Sequence, residues 1–246
     1  MRIPRIYTAQ AIRLDSLIKL EGQQAHYLSK VLRLKANANL ILFNGDGYEY
    51  KSLITNLDKH SITLEIQETV SATSESPLHT ILGLGLSRGE RMDIAIQKSI
   101  ELGVTEIVPL FTKFSEVKLQ GERLQKKLSH WQQVAISACE QSGRNHIPTI
   151  HQPLELSNWC SNLDCEYKLI FDPNRDSDHK EIQGHKNVTQ VALLVGPEGG
   201  FSTQELNHAT NNGFIGVRLG PRVLRTETAP VAALTSLQLL WGDFNI

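Results

Sequence analysis

The chain has 246 residues, of which 40% are hydrophobic and 21% are charged, a composition that excludes disordered, collagen-like and coiled-coil proteins. The length predicts one or two domains. No run of about 18 apolar residues occurs, so no membrane span is expected, and the N-terminus lacks the apolar core of a signal peptide. A formal net charge of −1 excludes a protein that coats nucleic acid by bulk charge, but it permits a local basic face.

The cysteine pattern predicts neither disulfides nor a metal site. Cys139, Cys160 and Cys165 are odd in number and include no C-x-x-C pair, and no histidines stand nearby at ligand spacing. We therefore expect three free thiols in a reducing cytoplasm, with Cys139 in the core rather than acting as a nucleophile.

The first 71 residues predict a small β-rich domain. A short strand is followed by a stretch with helical spacing over 22–34, a hairpin around Asn44–Gly47 and a strand that alternates through Ile62, Leu64 and Ile66. Charge in this region is uneven. Residues 1–36 hold seven basic and two acidic side chains, whereas residues 37–76 hold two basic and six acidic ones. Such an imbalance is compatible with a phosphate-binding face at one end of the domain, or with an ordinary solvated surface.

A small, polar segment over 71–77 that ends in proline predicts a linker, which places the domains at 1–71 and 78–246. Beyond it, apolar strands alternate with amphipathic helices. One helix has Met92, Ala95, Ile96, Ser99 and Ile100 on one face, and another opens at a Ser202–Glu205 capping box. This alternation predicts an α/β domain with a mostly parallel sheet.

Two strands of this domain end in glycine-rich loops, GPEGGFS at 196–202 and PRVLRTETA at 221–229. Ligands bind at the carboxyl ends of parallel strands, so the two loops predict one cleft lined by backbone groups, suited to a flat, neutral adenine. The segment Gly83–Gly89 is a weaker candidate. It approximates a dinucleotide fingerprint with its third glycine one residue late, and a tight strand–helix turn is the favoured interpretation.

The motifs LLVGPEGGFS and RLGPRVLRTETA resemble the RsmE family of ribosomal RNA small subunit methyltransferases. RIPRIY, HYLSKVLRL, SRGERMDIAIQKSIELGV and ACEQSGR resemble the same family in the same order. The resemblance implies a SPOUT methyltransferase domain with a C-terminal trefoil knot, preceded by a PUA-like β-barrel. It further implies a cytoplasmic homodimer that uses S-adenosyl-L-methionine to methylate N3 of uridine 1498 in the 16S rRNA of the 30S subunit.

The resemblance implies catalytic, cofactor-binding and RNA-binding roles for particular side chains. Arg225 is the first candidate for stabilising negative charge on the uracil carbonyl oxygens, and Arg222 is the second. Glu198 could orient the substrate, accept the N3 proton or brace its own loop. The expected cofactor-binding residues are Leu194, Gly196, Gly199, Gly200, Leu219, Gly220, Leu224, Thr226, Thr228 and Ala229. The expected RNA-binding residues are Arg2, Arg5, Lys30, Arg33, Arg88 and Arg222, with Arg88, Arg91 and Arg144 as an alternative face.

Two other functions compete with this hypothesis. One is an RNA-binding or ribosome-assembly factor that kept the fold and lost catalysis, against which the intact glycine loops argue. The other is a nicotinamide-dependent oxidoreductase that would use the Gly83–Gly89 segment.

Overall fold

The computed structural model describes residues 3–71, 74–117, 119–173 and 187–244. The chain forms two compact units. One contains Met1–Glu75 together with Cys139–Ile147, and the other contains Ser76–Ala138 together with Pro148–Ile246.

The first unit is built on a curled five-stranded sheet with the order β1-β3-β4-β5-β2. Its strands are β1 (Arg5–Tyr7), β2 (Leu17–Glu21), β3 (Asn39–Phe43), β4 (Tyr48–Leu57) and β5 (Ser61–Ser71). β1 pairs in parallel with β3, and the other pairings are antiparallel. Two register shifts between β4 and β5 bend this long ribbon, as β-bulges do.

Local sequence signals explain much of the first unit. The predicted hairpin is confirmed, because Gly45 and Gly47 take the positive φ values of 94° and 91° that the turn between β3 and β4 requires. The alternating residues Ile62, Leu64 and Ile66 are fully buried in the core of the sheet.

The helix predicted over 22–34 is shorter and partly irregular. An α-helix, α1 (Gly22–His26), continues into a π-helical turn, Tyr27–Val31, which the Leu32 N–H closes by donating to the Tyr27 carbonyl at 2.9 Å. Arg33 follows with a φ of 53°, outside any helix. Lys30 and Arg33 are three residues apart within the predicted helix, a spacing that would place them on one helix face. That placement is wrong, because the helical backbone ends between them.

A buried ionic network holds the first unit together. The Arg5 side chain is only 6% exposed, and its guanidinium donates to Glu49, to the Asn145 side chain and to the Arg144 carbonyl. Arg144 in turn binds the Glu75 carboxylate at 2.7 Å. Buried charges of this kind are stable only when paired, so these arginines are structural members of the unit.

The second unit contains a seven-stranded sheet whose main path runs β12-β10-β11-β6-β7-β8, with β9 paired to β7. Every pairing among its described strands is parallel. The strands are β6 (His79–Gly85), β7 (Glu106–Phe111), β8 (Thr149–Ile150), β9 (Leu154–Glu155), β10 (Tyr167–Phe171), β11 (Gln190–Val195) and β12 (Ile215–Val217). The predicted α/β architecture with a parallel sheet is confirmed.

Helices accompany this sheet, and their buried faces follow the sequence pattern. They are α2 (Glu90–Glu101), α3 (Gly121–Ser142), α4 (Leu156–Asn162), α5 (Thr203–Asn211) and α6 (Thr228–Trp241). All five residues predicted for the inner face of α2 are buried, and the capping box at the start of α5 is present. Helix α4 and the short strands β8 and β9 were not predicted.

The three cysteines are free, as expected, and Cys139 lies in the core as expected; Cys160 and Cys165 are buried as well. Burial raises the pKa of Cys139 and of Cys160 to about 12, so neither thiol ionises near neutral pH. Within the described residues, no helix has both the length and the apolarity to cross a bilayer.

Candidate active site

The candidate site lies where the parallel strands of the second unit end. Because parallel strands point the same way, the segments that follow β6, β7, β10, β11 and β12 emerge at one edge of the sheet. The segments after β10, β11 and β12 enclose a cavity of about 490 Å³. This volume is in the range of small-molecule and cofactor sites.

The first wall of the cavity is the GPEGGFS loop between β11 and α5. Gly200 has a φ of 67°, and its N–H donates to the Pro197 carbonyl at 2.9 Å, which folds the loop into a tight turn. The loop is anchored at its end, because the Glu205 carboxylate accepts from the Ser202 N–H at 2.8 Å and from the Lys113 N–H at 2.7 Å. The loop therefore has a fixed shape around the cavity.

Strand β6 supports this loop from behind. A Cβ added at Gly85 would lie 2.5 Å from the ring and nitrogen of Pro197, so the absence of a side chain lets the loop lie directly on the strand. A Cβ at Gly83 would lie 2.5 Å from the Trp159 ring. Both glycines are inside the strand and serve close packing, so the geometry does not favour the dinucleotide reading of Gly83–Gly89.

The second wall is the loop between β12 and α6. The Arg225 carbonyl accepts the N–H groups of Thr228 and Ala229, each at 2.9 Å, which sets the first turn of α6. Leu224, Arg225 and Thr226 line the cavity from this side. Arg225 is exposed, so its charge is available to a bound molecule.

Glu198, at the tip of the first loop, is held by neighbouring donors. One carboxylate oxygen accepts from the Arg91 guanidinium at 3.0 Å and from the Arg88 N–H at 3.3 Å. Partial burial alone would raise the pKa of Glu198. The hydrogen bonds from its own backbone, from Arg91 and from Arg88 outweigh that effect, so its pKa lies below the ordinary value. An ionised, paired carboxylate of this kind braces the loop and is a weak proton acceptor.

The structure brings most of the expected cofactor residues together and leaves some outside. Gly220 and Thr228 are exposed and do not line the cavity. Leu194 is fully buried in the core, so its side chain faces away from solvent. Leu219 lines a smaller adjoining cavity of about 60 Å³ with Arg222. The expected residues that line the main cavity are Gly196, Glu198, Gly199, Gly200, Leu224, Arg225, Thr226 and Ala229.

Sequence reasoning missed the third wall, which follows β10. Phe171 and Asp172 line the cavity there, and Asp172 is buried. A polar residue directly after a buried apolar strand is a usable signal for such a position. Phe201 and Leu206 add apolar surface from the α5 side, and no periodic pattern distinguishes them from core residues.

The residues expected to bind RNA fall into three groups. Lys30, Arg33, Arg88 and Arg222 are exposed, and Arg88 forms an ion pair with Glu116 at 2.6 Å. Two of the expected RNA-binding arginines are placed wrongly by the sequence analysis. Arg5, and Arg144 of the alternative face, are buried in the ionic network of the first unit and are not offered to RNA. Arg2 lies outside the described residues.

Comparison with known proteins agrees with this arrangement. The model of an RNA methyltransferase domain matches residues 74–238, and the model of an RNA methyltransferase PUA domain matches residues 20–67. The chain thus contains an RNA methyltransferase domain preceded by a PUA domain.

Individual relatives narrow the assignment. Ribosomal RNA small subunit methyltransferase E of Buchnera aphidicola is 40% identical over 99% of each chain. A crystal structure of ribosomal RNA small subunit methyltransferase E from Neisseria gonorrhoeae, bound to S-adenosyl methionine, is 38% identical in sequence to this chain and superposes with a TM-score of 0.91. The match covers 99% of this chain and 100% of the Neisseria chain. A putative methyltransferase from Legionella pneumophila, solved with its bound cofactor SAM, is also 38% identical, with a TM-score of 0.94 over the same shares. The chain belongs to the ribosomal RNA small subunit methyltransferase E family.

Proposed function

We propose that this chain transfers the methyl group of S-adenosyl-L-methionine to N3 of one uridine in 16S rRNA, at position 1498, within the 30S subunit. The observation that carries the proposal is the cavity of about 490 Å³ between the two glycine-rich loops, at the carboxyl edge of the parallel sheet. Relatives with the same fold are solved with this cofactor bound, which supports the same assignment here.

The cavity fits the proposed cofactor chemically. Phe171, Phe201 and Leu224 offer apolar surface for an adenine ring, and the turn at Gly199–Gly200 exposes backbone without side chains. Asp172 and Glu227 add carboxylates near a molecule that carries positive charge on its sulfur and amino group. Bound S-adenosyl-L-methionine would supply a methyl group that its positive sulfur already activates.

The residues of this chain must then prepare the acceptor. As uracil N3 takes the methyl group it releases its proton to solvent water, and negative charge develops on the flanking carbonyl oxygens. Arg225 is exposed at the cavity wall and is the group we assign to stabilise that charge. Glu198 is assigned to hold the loop through Arg91 rather than to accept the proton, because its pKa lies below the ordinary value.

RNA binding is proposed for the exposed cations Lys30 and Arg33 of the first unit and Arg222 of the second. Arg88 is exposed but paired with Glu116, so we do not assign it to a phosphate. Phosphate contacts position an RNA without reading its sequence. N3 lies on the Watson–Crick edge, so the target uridine must be unpaired or flipped out when it reacts.

Two features of assembly and fold belong to the same proposal. Helix α6 carries no charged residue, and its exposed positions include Leu239 and Leu240, while Val223 just before it is 80% exposed. An apolar surface of this kind favours a homodimer that packs through this helix. We also propose the trefoil knot of the family, since β12 pairs with β10, beyond its chain neighbour β11. The buried free thiols are consistent with a cytoplasmic location.

The proposal is tested with purified protein, methyl-labelled S-adenosyl-L-methionine and 30S subunits that lack the modification. We expect 3-methyluridine at one position of 16S rRNA, identified by mass spectrometry of nuclease fragments. Arg225→Ala should lower the single-turnover rate roughly 10²–10³-fold with both reactants saturating. Arg123→Ala, which removes an exposed arginine on α3, should leave the rate unchanged. Absence of cofactor binding by calorimetry would instead favour a non-catalytic RNA-binding factor.

A further inference from the structure

A second cavity, of about 830 Å³, lies at the carboxyl ends of β6 and β7. It shares a wall with the first cavity, because Arg91, Glu198 and Gly199 line both. The two cavities therefore adjoin along these three residues. Nothing in the roles assigned so far uses this space.

The second cavity has an exposed aromatic wall. Phe114, in the loop after β7, is 43% exposed and lines the cavity. The loop that carries it is fixed, because the Thr112 and Ser115 hydroxyls bond at 2.9 Å and the Lys113 N–H bonds to Glu205. A Cβ added at Gly199 would lie 2.6 Å from the Phe114 Cβ, so the ring stands directly against the glycine loop. An apolar ring held rigidly at a cavity surface is a stacking platform for a flat partner.

The charges around the second cavity are balanced. Three cations, Arg88, Arg91 and Lys113, line it together with three carboxylates, Glu90, Glu116 and Glu198. Arg88 is paired with Glu116, and Arg91 is paired with Glu198. Lys113 Nζ lies 5.9 Å from the centroid of the Phe114 ring. Because the formal charges cancel and two of the three cations are paired, the cavity is a poor site for a phosphate, but it offers donors and acceptors to the polar edge of an uncharged ring.

We propose that the second cavity receives the flipped target uracil, with Phe114 stacked on its face and its N3 edge directed past the shared residues into the first cavity, where the methyl donor would lie. The inference rests on the proposed function, since it places the acceptor beside the cavity assigned to the methyl donor. Arg91 uses one N–H on Glu198 and has further donors for a carbonyl oxygen next to N3. Glu198 then acts as a positioning residue that sets the direction of the Arg91 guanidinium.

The test compares Phe114→Leu with Phe114→Tyr, which keeps the ring. Loss of a base–aromatic stack of about 1–3 kcal/mol corresponds to roughly 5–150-fold. We expect Phe114→Leu to lose that factor in the single-turnover kcat/KM on 30S subunits, and Phe114→Tyr to retain most of it. Tyr48→Leu removes another exposed ring, outside the second unit, and should match the wild type.

Two further measurements separate stacking from other roles. The affinity of Phe114→Leu for S-adenosyl-L-methionine, measured by calorimetry, should be unchanged, and so should the slope of 30S affinity against salt, because stacking releases no counterions. A parallel loss of cofactor affinity would make Phe114 a support of the glycine loop and overturn the inference. A flatter salt slope would make the cavity a phosphate site. Wild-type kcat/KM in Phe114→Leu, or an equal loss in Phe114→Tyr, would also refute it. If the wild-type protein itself does not methylate 30S subunits, the proposed function fails, and this inference fails with it.

Discussion

Replacing Gly85 by alanine tests whether the GPEGGFS loop, which lines the cofactor cavity, depends on its close packing against β6. The added Cβ would lie 2.5 Å from both the Cδ and the backbone nitrogen of Pro197 and 3.0 Å from the Gly196 carbonyl carbon. Comfortable contact between such atoms needs about 3.5 Å, so the loop must retreat by about 1 Å. Because a proline ring and a backbone nitrogen cannot change rotamer to relieve the clash, the whole loop must shift, and this shift moves the wall of the cavity.

Gly83→Ala is the matched control, since it makes the same substitution two residues earlier on the same strand. Its Cβ would lie 2.5 Å from the Trp159 ring and 3.0 Å from Leu110, both core residues away from the cavity. Overpacking of this kind costs about 1–3 kcal/mol of stability. Both variants should lose stability by about that amount, but a 1 Å shift of a positioning loop should cost Gly85→Ala a further 10–100-fold in cofactor affinity.

The assay combines urea unfolding with calorimetric titration of S-adenosyl-L-methionine on each variant, at a temperature where both are folded. We expect comparable destabilisation of both variants and a selective loss of cofactor affinity in Gly85→Ala. Wild-type affinity in a folded Gly85→Ala protein would show that the loop does not depend on its contact with β6. An equal loss in Gly83→Ala would show that any strain in the sheet core disturbs the site.

Two other results are expected. The pKa of Glu198 lies below its ordinary value of 4.5, so the folded state gains from the ionised carboxylate above about pH 4.5 and loses that gain as the pH falls below it. Glu198→Gln should then be less stable than wild type at pH 7, by at most about 1 kcal/mol because the pair is partly in solvent, and the difference should shrink in urea titrations as the pH is lowered below 4.5. For RNA binding, replacing Lys30 and Arg33 by glutamine should lower the slope of log K against log salt by about 1.5 on 30S subunits, without a change in cofactor affinity. Lys126→Gln on α3 provides a control of similar exposure, and an unchanged slope in the double variant would exclude this face.

Features that depend on neighbouring residues were predictable from the sequence. The buried face of α2, the capping box at Ser202 and the glycine turn between β3 and β4 each follow from side chains a few positions apart. The meeting of the two glycine-rich loops was also predictable, because parallel strands deliver their carboxyl ends to one edge.

Features that depend on distant contacts were not predictable. Nothing local indicates that β12 pairs with β10, or that β1 runs parallel to β3. The contributions of Asp172 and Phe114 to the cavities depend on that strand order, which sets which loops become neighbours. The helix after β2 was predicted too long because apolar spacing continues through Leu32, whereas the backbone changes to a π-helical turn and ends.

The number of basic residues in the N-terminal segment overstates the positive charge that lies at its surface. An excess of basic residues in 1–36 suggests a phosphate face, but the count treats every arginine as a surface group. Arg5 is enclosed by Glu49 and Asn145, so its charge is neutralised inside the unit and is not offered at the surface. Lys30 and Arg33 remain exposed beside the π-helical turn, and they are the cations of the first unit that we assign to RNA. Phosphate contacts would hold an RNA without selecting a base. On our proposal, base selection belongs to the second unit, where the cavity beside Phe114 has balanced charges and suits an uncharged ring rather than a phosphate.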